Sequence, residues 1–200
     1  MIKALIFDYG NVISRVNNDL FLEEVARSSG KSDAELNTII KANADLLRGF
    51  ETGTVSPDEF FEGFVKSIGL NIGEREFIEL FTGRFTPITE NHDLIMSLKP
   101  RYKLSLLSNT NKWDFEYEIR KSHVFNLFDT VTVSFQVGAM KPDKKIYLDA
   151  LGKLNAIPEE CVYIDDIKEY SDAACELGIK GIHYTSHEDL VDSLRRMNVQ

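Results

Sequence analysis

Residues 2–11 read Ile-Lys-Ala-Leu-Ile-Phe-Asp-Tyr-Gly-Asn, an apolar run interrupted only by Lys3 that breaks abruptly at Asp8. A short apolar segment closed by turn-forming residues is the pattern of a strand buried on both faces. Four later segments repeat it: Lys103 to Ser108, Thr130 to Phe135, Cys161 to Ile164 and Gly181 to Tyr184. Stretches with helical spacing follow or separate them, at Glu90 to Leu98, Lys112 to Ser122, Asp143 to Leu154, Glu169 to Leu177 and Glu188 to Met197. Strand followed by helix, repeated, predicts the α/β class: a three-layer α/β/α, Rossmann-like core around a parallel sheet.

One interval departs from that alternation. From Asn17 to about Thr89 only helical signals occur, at Asn17 to Ser28, Asp33 to Phe50, Ser56 to Ile68 and Gly73 to Phe85. Ser56-Pro57-Asp58-Glu59 combines a capping box with proline at the first helical position, which makes it the clearest helix start in the interval. The expected organisation is a core of residues 1–14 and 89–200 carrying an inserted four-helix cap over residues 15–88. A chain of 200 residues has room for that, one domain and an appendage.

Charge narrows the function classes. Lys plus Arg number 23 against 32 Asp plus Glu, a net charge of −9 without blocks of like charge. Such a field repels phosphate backbones and anionic lipid, so no nucleic-acid or membrane partner is expected. The apolar runs fall far short of the ~20 residues that span a bilayer, and Met1-Ile2-Lys3 does not open a signal peptide. Cys161 and Cys175 show neither metal-ligand spacing nor a disulfide framework. The reading is a cytoplasmic protein, monomer or homodimer.

Open α/β sheets bind ligands beyond the carboxyl ends of their strands. There the chain places Asp8-Tyr9-Gly10-Asn11, Ser108-Asn109-Thr110-Asn111, Gly138-Ala139-Met140-Lys141-Pro142 and Asp165-Asp166. Phosphoryl transfer asks for an in-line nucleophile, cations and oriented donors. Asp8 is the candidate nucleophile, forming an aspartyl-phosphate. Ser108 and Asn109 are candidates to bind a phosphoryl oxygen, and Lys141 to neutralise another. Asp165 and Asp166, with Asp8, are candidates to hold Mg²⁺, a hard cation that favours carboxylate oxygens. Taken singly, Asp8 reads as a turn cap, Ser108 as a helix start and Lys141 as a solvated loop lysine. Their combination, in order at successive strand ends, overturns those readings.

At these residues the chain resembles the haloacid dehalogenase-like (HAD) superfamily of aspartate-nucleophile hydrolases. The resemblance rests on Ile6-Phe7-Asp8 with Gly10-Asn11-Val12, Leu106-Leu107-Ser108-Asn109, Gly138 with Lys141-Pro142 and Tyr147, and Tyr163-Ile164-Asp165-Asp166 with Ala173 and Gly178. It implies a Mg²⁺-dependent phosphatase of a small phosphorylated metabolite, with a helical cap closing over the substrate and the Gly10 carbonyl as a metal ligand. Most phosphatases of the superfamily carry a second aspartate, the general acid and base, two residues after the nucleophile; here that position is Gly10. Its loss predicts slow turnover on poor leaving groups. The Asp-x-Gly-Asn-Val form is similar to the branch containing α-glucose-1-phosphate phosphatases, which points toward sugar phosphates.

Two other readings use the same residues. A 2-haloacid dehalogenase shares the aspartate nucleophile, but those enzymes replace the last acidic pair with neutral residues. A phosphate- or partner-binding module with weakened catalysis is supported by Gly10 and opposed by the retained charges. The histidines His92, His123, His183 and His187 lack metal-ligand spacing, and Trp113, Phe60, Phe61 and Phe64 read as core. Arg15, Arg48 and Glu51 are weaker candidates for the cleft.

Overall fold

Strand β1 (Ala4–Phe7) leads through a tight loop into β2 (Ser14–Val16) in a computed structural model that describes residues 1–199. Five helices follow: α1 (Asn18–Ser29), α2 (Asp33–Ala42), α3 (Ala44–Glu51), α4 (Pro57–Ile68) and α5 (Glu74–Thr82). Strand β3 (Phe85–Pro87) then returns antiparallel to β2, so the two form a short ribbon at the base of the helical insertion. The remainder runs α6 (Thr89–Leu98), β4 (Lys103–Ser108), α7 (Lys112–Tyr117), β5 (Thr130–Val133), α8 (Ser134–Val137), α9 (Lys144–Leu154), β6 (Cys161–Asp165), α10 (Lys168–Glu176), β7 (Lys180–His183) and α11 (His187–Arg196).

The five long-range strands pair in the order β5-β4-β1-β6-β7, all parallel. After β1 the chain builds outward on one side through β4 and β5, then crosses back to lay down β6 and β7 on the other. The topological switch point is therefore at β1, where a ligand crevice is expected beyond the carboxyl ends. Register fixes what meets there: Phe7 lies opposite Leu106 and Ile164, so Asp165 emerges beside Asp8 and Ser108 ends β4 one residue further along the same edge.

Alternation along β1 explains the layers. Leu5 and Phe7 face one cluster with Ile95 and Leu98 of α6 and Leu190 and Leu194 of α11. Ala4 and Ile6 face the other, with Ile146, Tyr147 and Ala150 of α9 and Ala174 of α10. Both faces are covered, which is why the strand reads as continuously apolar.

The insertion has its own core of Phe21, Phe50, Phe60, Phe64, Phe77 and Phe81, and Trp113 of α7 belongs to it. Phe50 and Phe60 stack at 4.3 Å, and the Trp113 indole meets Phe50 edge-on at 4.9 Å. The indole thus fastens the insertion to the sheet layer. Capping boxes at Ser32 and Ser56 start α2 and α4.

Five helices form where four were expected, because Asp33 to Phe50 divides at Asn43. The Asn43 side chain donates to the Ile39 carbonyl at 2.8 Å, competing with the helix for its backbone acceptors. Lys112 to Ser122 likewise stops at Tyr117 and continues as a 3₁₀ turn over Ile119–Lys121. Among the described residues no helix is long and apolar enough to cross a membrane.

Candidate active site

Asp8 sits one residue past β1, buried, with its N–H donating to the Ile164 carbonyl of the adjacent strand at 2.9 Å. The Lys141 ammonium reaches it from the loop between α8 and α9, with Nζ 2.8 Å from Asp8 Oδ1 and 2.7 Å from Asp165 Oδ2. Asp165 ends β6 and is fully buried; its Oδ1 accepts from the Ile167 N–H at 2.8 Å, and its Oδ2 also accepts from the Tyr163 hydroxyl. Asp166, more open, accepts from Asn11 Nδ2 at 3.0 Å. Oxygens of Asp8, Asp165 and Asp166 all lie within 4.8 Å of one another.

The loops carrying these groups are tied together. Asn11 takes a positive φ of 52°, which Asn tolerates better than most residues, and its Oδ1 accepts from the Val16 N–H at 3.1 Å. Asn109 spends its side chain on the lysine loop: Oδ1 accepts from the Lys141 N–H at 2.8 Å and Nδ2 donates to the Lys141 carbonyl at 3.2 Å. Ser108 is buried beside it, and its Oγ has only a 3.4 Å contact with the Asn109 carbonyl, leaving the hydroxyl available to a ligand. Behind Lys141 stand the rings of Tyr163 and Tyr170, 5.8 and 5.2 Å from Nζ.

Burial raises the Asp8 carboxyl, Lys141 pulls it down and Asp165 pushes it up, leaving a pKa of about 7. Burial works against the Lys141 ammonium, yet Asp8 and Asp165 outweigh it and hold its pKa above the ordinary lysine value. Burial, then Asp165, drives the Tyr163 phenol far up, so it remains a hydrogen-bond donor. The charge balance is unfavourable without a further cation, since three carboxylates, two of them buried, face one buried ammonium. Carboxylate donors at this spacing fit a hard divalent cation such as Mg²⁺.

The structure brings together Asp8, Lys141, Asp165 and Asp166, with Ser108 and Asn109 on the neighbouring strand end. Gly10 lies in the same loop, bridged to Ser14. Of the weaker candidates, Glu51 lines a cavity among the inserted helices, whereas Arg15 and Arg48 are exposed. Sequence reasoning assigned no role to three groups. Asn11 orients Asp166; its type at a turn needing positive φ was the available signal. Tyr163 holds Asp165, and its hydroxyl in an otherwise aliphatic strand was the clue. Arg84 pairs with buried Asp114 at 2.6 Å, across a separation no local pattern reveals.

A parallel α/β sheet whose switch point carries a lysine-clamped aspartate and an acidic pair defines a Rossmann-like hydrolase. The chain belongs to the haloacid dehalogenase-like hydrolases: that family matches residues 65–183. It is 26% identical over 187 residues to D-ribitol-5-phosphate phosphatase of Bacteroides thetaiotaomicron, covering 90% of each chain. It is 29% identical over 198 residues to sesquiterpene phosphatase AstK of Aspergillus oryzae, covering 98% of this chain and 96% of that one. A HAD family enzyme from Bacteroides thetaiotaomicron, solved with magnesium and inorganic phosphate, has the same fold, with a TM-score of 0.82 at 21% identity over 92% of this chain and 95% of that one.

Proposed function

We propose that this protein is a phosphatase of a small phosphomonoester, working through an aspartyl-phosphate on Asp8, with residues 15–88 as a cap over a core of residues 1–14 and 89–200. The observation that carries this reading is the Asp8 carboxylate clamped by Lys141 inside one cluster with Asp165 and Asp166. Both curated relatives are phosphatases by name, one of a polyol phosphate and one of a sesquiterpene phosphate.

In this mechanism one Asp8 oxygen attacks phosphorus while the ester oxygen departs on the opposite side. Lys141 neutralises a peripheral phosphoryl oxygen, and the Ser108 hydroxyl with the N–H of Asn109 binds another. Asp8, Asp165 and Asp166, with the Gly10 carbonyl, would hold Mg²⁺, which supplies charge neutralisation between nucleophile and phosphate. Water then cleaves the aspartyl-phosphate, returning the Asp8 carboxylate and releasing inorganic phosphate. With Gly10 in place of a carboxyl group, the departing oxygen takes its proton from solvent.

Phosphate release from a panel that includes sugar phosphates, measured with Mg²⁺ and with EDTA, tests the reading. Turnover is expected with Mg²⁺ and should vanish in Asp8→Asn. Equal turnover by Asp8→Asn removes the nucleophile assignment. Tight beryllofluoride binding without hydrolysis of any compound would instead establish a binding module.

A further inference from the structure

A cavity of about 350 Å³ opens among α1, α2, α3 and α4, with Arg84 and the α7 cap residue Asn111 on its sheet side. Asn111 lies three residues past Ser108, so chain length holds it within ~11 Å of that strand end. Glu51 enters from α3, close to Gly53, whose α-carbon packs on the Phe135 carbonyl just beyond β5. The cavity therefore stands over the sheet edge that bears Asp8. In-line transfer expels the leaving group on the side away from Asp8, which is away from the sheet and toward the inserted helices.

The walls decide what fits. Phe21, Leu22, Leu47, Phe50, Phe64 and Phe81 make up half of the lining, and Ile40 adds a seventh apolar side chain. Most of the inward-facing polar groups are already paired; among the described residues Arg84 Nε–H is the buried donor on this lining left without a partner. Asn111 is largely engaged, its Oδ1 accepting from Trp113 and Asp114 N–H groups and one Nδ2 hydrogen donated to Asp114 Oδ2. The Arg84 guanidinium is paired to that same carboxylate oxygen and to the Phe81 carbonyl. Asn18 and Asn37 are exposed at the rim. A polyol seated inside would lose water from several hydroxyls and recover little. A second anionic group would find Arg84 already balanced by Asp114, with Glu51 beside them.

We propose that the cavity is the leaving-group site and that the substrate is a monophosphate ester of an apolar alcohol, carrying no second anionic group. This rests on the phosphatase reading above and sharpens it from any phosphomonoester to one class. The volume equals about a dozen water molecules at ~30 Å³ each, room for a body of roughly eight to twelve carbons.

The test compares n-octyl phosphate, below its micelle concentration, with ribitol 5-phosphate and glucose 1-phosphate, and uses acetyl phosphate as a reference that hardly enters the cavity. Wild-type protein should turn over octyl phosphate with kcat/KM at least tenfold above either polyol ester. Leu47→Gln should lower octyl phosphate turnover about tenfold and leave acetyl phosphate within twofold, which also shows that the variant is folded. Calorimetry supplies a readout independent of turnover: octylphosphonate should bind at least tenfold tighter than methylphosphonate, with a more negative heat-capacity change, and Leu47→Gln should erase the difference. Polyol esters equal to or better than octyl phosphate, or equal affinity for the two phosphonates, would overturn the proposal while leaving the phosphatase reading intact. Absence of turnover of every one of these compounds by wild type defeats the phosphatase reading, and with it this one.

Discussion

Replacing Gly10 with aspartate should convert a slow phosphatase into a faster one. The position accepts a side chain: its φ lies outside the left-handed region, and an added β-carbon would meet Val16 Cγ2 at 3.5 Å, an ordinary contact. Removing a glycine there also restricts the unfolded chain, worth ~0.4–1 kcal/mol of stability. A carboxyl group two residues from Asp8 supplies the proton that the departing oxygen otherwise draws from solvent. General acid–base help amounts to about 10²–10⁴ in rate, or roughly 2.7–5.5 kcal/mol of barrier. The gain depends on the leaving group. An alkoxide needs the proton and should show at least a ~30-fold rise in kcat, whereas the carboxylate expelled from acetyl phosphate does not and should change less than about threefold. Steady-state phosphate release for Gly10→Asp and wild type, with Mg²⁺, measures both. A variant that melts normally yet gains nothing on alkyl phosphates, or gains equally on both substrates, refutes the reasoning.

Three other perturbations read separate parts of the molecule. The Asp8 pKa of about 7 lies above its ordinary 3.8, so the folded, metal-free protein binds this proton more tightly than the unfolded chain does. Its contribution to stability is therefore best below pH ~4, is lost as pH rises toward 7 and stays lost above; the rise in melting temperature on adding Mg²⁺ should grow between pH 5 and 7.5, and a flat rise would contradict it. Arg84→Met leaves Asp114 buried without its cation and should cost about 3–5 kcal/mol by urea denaturation, whereas adding Asp114→Leu should recover most of the loss; additive losses would show that the pair is not coupled. Gly53 has φ +72° and an added β-carbon would fall 2.1 Å from the Phe135 carbonyl oxygen, so Gly53→Ala should displace α3 from the sheet edge. It should raise KM for octyl phosphate severalfold more than for acetyl phosphate, and equal effects on both would remove that contact from substrate binding.

What could be read in advance follows from how locally each feature is encoded. The central strand was legible because burial on both faces forces an unbroken apolar run, and Ala4 to Phe7 is such a run. Asp8, Asp165 and Asp166 were legible because each closes or directly follows such a strand, whereas Lys141 lies beyond α8 and was marked by its residue type before Pro142. The β2–β3 ribbon was not, since three-residue strands show no period and their pairing spans the whole insertion. The break at Asn43 depended on one side chain turning back on its own helix. The Tyr163 hydroxyl on Asp165 is local, two residues apart on one face of β6, whereas the Asn109 clamp on Lys141 joins segments 32 residues apart and arises only in the assembled fold. Residue type signalled that these groups were polar; the partner Asn109 found was a property of the assembled fold.

A protein of net charge −9 that binds a phosphate dianion needs local compensation, and the site by itself does not provide it. Three carboxylates against one ammonium leave two negative charges where the phosphate must sit. At an effective dielectric near 20, each uncompensated unit pair at 4 Å opposes binding by about 4 kcal/mol, more than the ordinary worth of a hydroxyl or backbone donor. A divalent cation held by Asp8, Asp165 and Asp166 cancels that charge, so cation and phosphate should each tighten the other's binding by the same factor. Calorimetric titration of inorganic phosphate at pH 8, where Asp8 is ionised, should give at least a hundredfold weaker binding in EDTA than in saturating Mg²⁺. Titration of Mg²⁺ with and without phosphate should return that same ratio. Equal phosphate affinity in both conditions would mean that Lys141 and the turn N–H groups suffice alone, and that the acidic cluster has some other purpose.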